Sequence, residues 1–203
     1  MREGYEVIAV NYWREVKLDI KKILSGFWNT LLFIHNCEDF KEVVDFFKQM
    51  PYTGKIVYIS LTKTNDIIIT QFKDTNFKMF VVDCISKMLF EKLDTDKCFF
   101  EDAPSDLSQV FILIEKYLKK MNPDLLIIDS VTPFINFSTY SRSEIQQFEQ
   151  FLEKFREKNA LTACKFILIY EDLLLKELKY LPTLEVDVVL KMDVLVGRIN
   201  WEG

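Results

Sequence analysis

The sequence predicts a three-layer α/β fold: a doubly wound, mainly parallel sheet with helices on both faces and a C-terminal antiparallel hairpin. Three observations predict it. The runs TLLFIH (30–35), PDLLIIDS (123–130) and ACKFILIY (163–170) are almost continuously apolar, as strands covered on both faces must be. Between such runs lie stretches with apolar residues at helical spacing. Strand and helix alternate along the chain, which parallel crossover units satisfy and a β-sandwich does not.

The elements follow in order. YEVIAV (5–10) is a short strand. In 13–24, Val16, Ile20, Ile23 and Leu24 recur at helical spacing, and Ser25-Gly26 stops that helix. After the strand at 30–35, Asn36 is placed to cap a helix with Glu38 and Asp39 in its first turn. This helix runs through Phe40, Val43, Val44, Phe46 and Phe47 to Pro51. KIVYISL (55–61) is a strand, 64–73 a helix, and FKMFVVDC (77–84) the next strand. Residues 85–105 are polar and irregular, the pattern of a long surface excursion. A helix with a Ser cap spans 105–121, followed by the strand at 123–130. A helix of about five turns covers 141–159, capped by Ser141 or Ser143. After ACKFILIY come a short helix (171–181) and the hairpin pair at 186–201. No linker or repeat divides residues 1–203, so one domain is expected.

Composition narrows the function. A hydrophobic fraction of 49% and 18 Phe supply a large core. A net charge of −5 and a pI near 5.1 give no general attraction to nucleic acid or anionic membrane. No apolar run reaches the roughly 18–20 residues of a membrane span, and MREGYEVIAV has no signal-peptide plan, so a cytoplasmic protein is expected. Cys37, Cys84, Cys98 and Cys164 are scattered without metal-ligand spacing, so neither a zinc site nor a disulfide framework is expected. Cys84 and Cys164 lie in or beside apolar runs and are expected to be buried small hydrophobes. Abundant Lys, Glu, Asp and Ile with little Gln lean towards a thermophilic, archaeal-like source.

Several short segments carry a resemblance. Leu18-Asp19, Ile23-Leu24-Ser25-Gly26 and Thr30-Leu31-Leu32-Phe33-Ile34 resemble the entry to the RecA-like ATPases of the KaiC/RadA group. Tyr58-Ile59-Ser60-Leu61 and Phe80-Val81-Val82-Asp83 resemble the second and third core strands of that group. Leu125-Leu126-Ile127-Ile128-Asp129-Ser130 resembles its Walker B strand, and ACKFILIYED the strand after it. The resemblance covers roughly residues 16–196 and implies a nucleotide site at the strand ends.

The phosphate loop that this resemblance implies has no glycine. With His35 on the first position of GxxxxGK[ST], Phe40 falls on the glycine, Lys41 on the lysine and Glu42 on the Mg²⁺-binding hydroxyl. Gly4, Gly26, Gly54, Gly197 and Gly203 all lie elsewhere. Glu38 and Asp39 set negative charge where phosphate would sit. Thr62-Lys63 stands where the resemblance implies a catalytic glutamate. The positions left from such a site are Asn36, Lys41, Asp129 and Ser130; no catalytic residue, cofactor or metal is expected. Phe40 is expected to turn inward and join the core.

Other residues have plainer roles. Asp129 and Asp83 end apolar strands and are expected to cap the following turns through backbone N–H groups. His35 is expected to be a satisfied strand-end histidine, and Cys37, beside two acids, not a nucleophile. Pro133–Tyr140 is read as a protein contact or core, and Lys116, Lys119 and Lys120 as a solvated helix face. The functional expectation is a pseudo-ATPase domain acting as a protein-interaction or regulatory module, self-associating no further than a dimer. The alternatives are a rebuilt small-ligand site at the strand ends, or a recombinase-paralogue accessory acting with DNA.

Overall fold

A computed structural model of the chain describes residues 7–11, 26, 29–37, 39–50, 54–137, 141–171 and 186–193. Among the described residues eight strands form a single sheet: β1 (Val7–Asn11), β2 (Thr30–His35), β3 (Lys55–Ser60), β4 (Lys78–Asp83), β5 (Cys98–Phe100), β6 (Leu125–Asp129), β7 (Lys165–Glu171) and β8 (Val188–Asp193). Their order is β1-β8-β2-β7-β6-β3-β4-β5, and every neighbouring pair is parallel. The α-helices among the described residues are α1 (Phe40–Phe47), α2 (Asn65–Phe72), α3 (Leu107–Met121) and α4 (Arg142–Thr162).

The continuous apolar runs have a direct cause. Alternate residues of a strand point to opposite faces, and here both faces are covered. Leu31 and Phe33 of β2 and Ile167 and Ile169 of β7 pack with Val43, Val44, Phe46 and Phe47 of α1 and with Ile68 and Phe72 of α2. The intervening Leu32, Ile34, Phe166 and Leu168 pack on the other side with Ile114 and Tyr117 of α3 and Phe148, Phe151 and Phe155 of α4. This is the three-layer architecture expected.

Several expectations need correction. Asp39, not Asn36, caps α1: its Oδ1 accepts the Lys41 N–H at 2.9 Å. Asp106, not a serine, caps α3, accepting from Ser108 N at 2.8 Å and Gln109 N at 2.9 Å. The excursion at 85–105 contains the short parallel strand β5, whose CFF is too brief to register as a pattern. β8 is parallel to both neighbours, β1 and β2, and among the described residues no antiparallel partner lies beside it. The second half of that expected hairpin, and the helices expected at 13–24 and 171–181, lie outside the described residues.

The α4 start agrees with expectation: Ser141 Oγ accepts from Glu144 N at 3.2 Å while Glu144 accepts from Ser141 N at 2.7 Å, a reciprocal capping box. Ile135 and Phe137 are core residues, whereas 138–140 fall outside the description. Lys116, Lys119 and Lys120 are exposed, with Lys116 bonded to Glu101 at 2.6 Å and Lys120 Nζ 3.8 Å from the centre of the Phe99 ring. All four cysteines are free and buried. Among the described residues no helix is long and apolar enough to cross a membrane.

Candidate functional site

Parallel strands end together, so polar residues at their C-termini converge. Here β2, β7, β6 and β3 are consecutive neighbours, and register sets His35 beside Glu171 and Asp129 beside Ser60. The turn after β3 then doubles back. Ser60 Oγ accepts the Lys63 N–H at 3.1 Å and donates to the Lys63 carbonyl, which fixes where that lysine starts. Its ammonium reaches Asp129 Oδ1 at 3.3 Å and also bonds Glu171 Oε1. The Tyr58 hydroxyl donates to the other Asp129 oxygen, Oδ2. The Asp129–Ser130 peptide bond is cis.

Asp129 and Tyr58 are buried, while Lys63 and Glu171 reach the surface at this end of the sheet. Burial pushes the Asp129 carboxyl up, with the Lys63 ammonium and the Tyr58 hydroxyl opposing it. Burial also disfavours the Lys63 ammonium, but Asp129 and Glu171 outweigh it and hold its pKa above the ordinary value. Burial and then Asp129 push Tyr58 far up, so it stays a hydroxyl donor. The cluster is a closed set: one cation between two carboxylates, with a phenol completing the deeper one.

The described residues of the β2–α1 connection bond largely to one another. Cys37 N–H donates back to His35 Nδ1 at 3.2 Å, Lys41 N–H to Asp39 Oδ1, and Glu42 N–H to the Asp39 carbonyl at 3.0 Å. These N–H groups at the helix start are the ones an anion would use. Burial drives the Cys37 thiol pKa upward, followed by the nearby Glu42, which favours the thiol over the nucleophilic thiolate. His35 is buried, and burial lowers its pKa to about 4.

The residues singled out from sequence divide accordingly. Asp129 lies in the cluster, but its carboxylate meets Tyr58 and Lys63 instead of capping a turn, because both side chains converge on it from β3 and the turn beyond. Asp83 does cap: Oδ1 accepts from Ile85 N and Ser86 N, both at 2.8 Å, and Oδ2 from Asn65 N at 2.7 Å and Ser86 Oγ at 2.6 Å. Lys41 is exposed on α1 and makes no ion pair with Asp129 among the described residues. Asn36 is half-buried in the β2–α1 connection. Ser130 is fully buried, and its hydroxyl has no partner among the described residues. Glu38 lies outside them.

Phe40 packs on the α1–α2 side, its ring 6.2 Å from Phe72 and 5.0 Å from the Lys63 ammonium, but it is only half-buried. It sits in the first turn, at the rim, which corrects the expectation of a core residue. Phe40→Ala is expected to cost about 1.5–2.5 kcal/mol, roughly half of a fully buried Phe truncation. Urea denaturation measures it, and a loss below about 0.5 kcal/mol would show that the ring does not pack.

Tyr58, Lys63 and Glu171 were not legible as a unit. Glu171 ends an apolar strand just as Asp129 does, and that shared position was the available signal.

No family model matches the chain, and no curated protein does. Among solved structures it is similar to a KaiC-like protein of the hyperthermophilic archaeon Pyrococcus horikoshii OT3. The identity is 15%, the TM-score 0.49, and the match covers 84% of this chain and 74% of that one. What the strand ends hold, and not this likeness, decides the chemistry.

Proposed function

We propose that this chain is a non-catalytic domain of the RecA/KaiC-like kind, a cytoplasmic pseudo-ATPase working as a protein-interaction or regulatory module without nucleic acid. The Asp129 carboxylate carries the reading. In a working phosphoryl-transfer site a Walker B aspartate serves a metal ion bound to nucleotide. Here Asp129 is buried, with Tyr58 on one oxygen and Lys63 on the other, so both oxygens it would offer a metal are already engaged within the chain. Lys63 stands where the resemblance implies a glutamate, and an ammonium held above its ordinary pKa cannot take a proton from water. The degenerate Walker A loop supports the same conclusion. Phe40 replaces the glycine, and Asp39 sets a carboxylate on the N–H that a phosphate would need.

The test is ATP turnover and thermal stability with and without ATP and Mg²⁺. Turnover is expected to stay at background, the melting temperature to be unmoved, and Asp129→Asn to change neither response. Turnover that disappears in Asp129→Asn would overturn the reading. A second reading, a small ligand at the rebuilt strand ends, is favoured by the buried, unpartnered Ser130 hydroxyl. It predicts a melting shift with a small ligand that Ser130→Ala removes, with turnover still absent.

A further inference from the structure

Among the described residues a run of exposed apolar side chains lies on the excursion between β4 and β5. Met88, Leu89, Phe90 and Leu93 are 69%, 64%, 65% and 88% exposed. The other large exposed apolar residues among those described, Ile67, Ile69 and Ile112, lie on α2 and α3.

The excursion is held at both feet. At the β4 end, the buried Asp83 carboxylate takes the N–H groups of Ile85 and Ser86 and the Ser86 hydroxyl. A 3₁₀ turn (Ser86–Met88) follows, with Leu89 N–H and Phe90 N–H both donating to the Ser86 carbonyl. At the β5 end, Thr95 Oγ1 accepts from Cys98 N at 3.0 Å and Asp94 Oδ1 from Phe100 N at 2.9 Å. Those bonds have a second consequence. β5 is the edge strand, and its outward N–H groups at Cys98 and Phe100 are already satisfied by the excursion's own side chains. A partner meeting this edge therefore docks on the projecting apolar side chains and does not add a strand.

We propose that the 86–97 excursion is a self-association face on which a second copy of this chain docks through Met88, Leu89, Phe90 and Leu93. Charge favours a copy over a partner of one sign. Residues 86–97 carry Lys87, Lys92 and Lys97 against Glu91, Asp94 and Asp96, a balanced set within a chain of net charge −5. A segment with no net charge meets its own copy without net like-charge repulsion, whereas a strongly acidic or basic partner gains nothing. Area agrees. At roughly 150–200 Å² for a fully exposed side chain of this size, the four present about 500 Å², so two copies remove about 1,000 Å², near the threshold for a specific interface. The fixed feet mean that little ordering is lost on docking.

The proposal names the partner for the interaction-module reading, yet it rests on different residues. ATP turnover and molecular mass are separate readouts, so either idea can fail alone. The test is sedimentation of the full chain from about 1 μM to about 100 μM. A dimer is expected at the upper end. Phe90→Asp with Leu93→Asp should weaken it about a hundredfold or more, while the urea midpoint stays put because neither side chain is in the core. If that pair does not fold, Phe90→Ser with Leu93→Ser reads the same contact. Ile112→Asp, an equally exposed change on α3, should leave the dimer intact. A monomer across the whole range would overturn the proposal, as would a dimer retained in the folded double variant or lost equally in Ile112→Asp.

Discussion

Lys63→Met is expected to destabilise the fold by about 3 kcal/mol at neutral pH, the lower end of what breaking a buried ion pair costs. The lower end applies because Lys63 and Glu171 still touch solvent, at 17% and 32% side-chain exposure, while Asp129 is at 1%. Methionine fills the stem's volume but leaves the Asp129 carboxylate with Tyr58 alone, so the acid must stay charged without its counter-ion or take up a proton. Asp129→Asn is expected to cost much less, about 1 kcal/mol. An amide oxygen still accepts from Tyr58, and the stranded Lys63 keeps Glu171 and water. The asymmetry distinguishes a buried charge pair from two generic packing changes. In a double-mutant cycle by urea denaturation, Lys63→Met should cost little once Asp129 is Asn. Equal single-variant losses, or strict additivity, would sink this account of the cluster.

The fold was legible because its strands are buried on both faces. Leu31 and Leu32 go to opposite sides of the sheet and both need apolar surroundings, so the run is continuous and readable. β5 was not legible, since three residues bonded to β4 on one side need no pattern of their own. β8 was misjudged for a different reason. VDVVLKMD reads as an extended strand in either direction, and only its insertion between β1 and β2 makes it parallel. Caps slipped locally: Asn36 and Asp39 are both good N-caps, and Asp39 is the one that sits directly before the packed face of α1.

The site was half legible. The missing glycines and the Thr62-Lys63 pair were visible as departures from the pattern the resemblance implies, and Asp129 as a position left from it. What those losses were replaced by was not visible. Lys63 lies 66 positions from Asp129 and 108 from Glu171 in sequence, and nothing local announces that one ammonium joins them. The strand order brings them together, because β3, β6 and β7 are neighbours. A lysine that looked like an absent glutamate is the residue on which the cluster closes.

The same burial makes His35 a source of acid sensitivity. Its Nδ1 accepts the Cys37 N–H, which assigns the ring proton to Nε2 in the neutral form, and the ring lies 5.5 Å from that of Phe33. Protonation would turn that acceptor into a donor aimed at an N–H group. Burial lowers the pKa to about 4 from an ordinary 6.5, with Glu171 pulling it up and Lys63 pushing it down. A histidine depressed in the folded state is protonated first in the unfolded chain. Between pH 6.5 and about 4 the unfolded state therefore holds the extra proton, and stability falls as pH falls through that window. The full loss by pH 4 is roughly 3 kcal/mol, at about 1.4 kcal/mol for each pKa unit. His35→Gln keeps an acceptor for Cys37 but cannot titrate, so its stability should vary less between pH 7 and pH 4.5, whatever it costs at pH 7. The carboxylates titrate in both proteins, and the difference between the two pH profiles isolates His35. Parallel profiles by urea denaturation would mean that the imidazole titrates alike in the folded and unfolded chain, and that the turn at His35-Asn36-Cys37 is not held by its neutral ring.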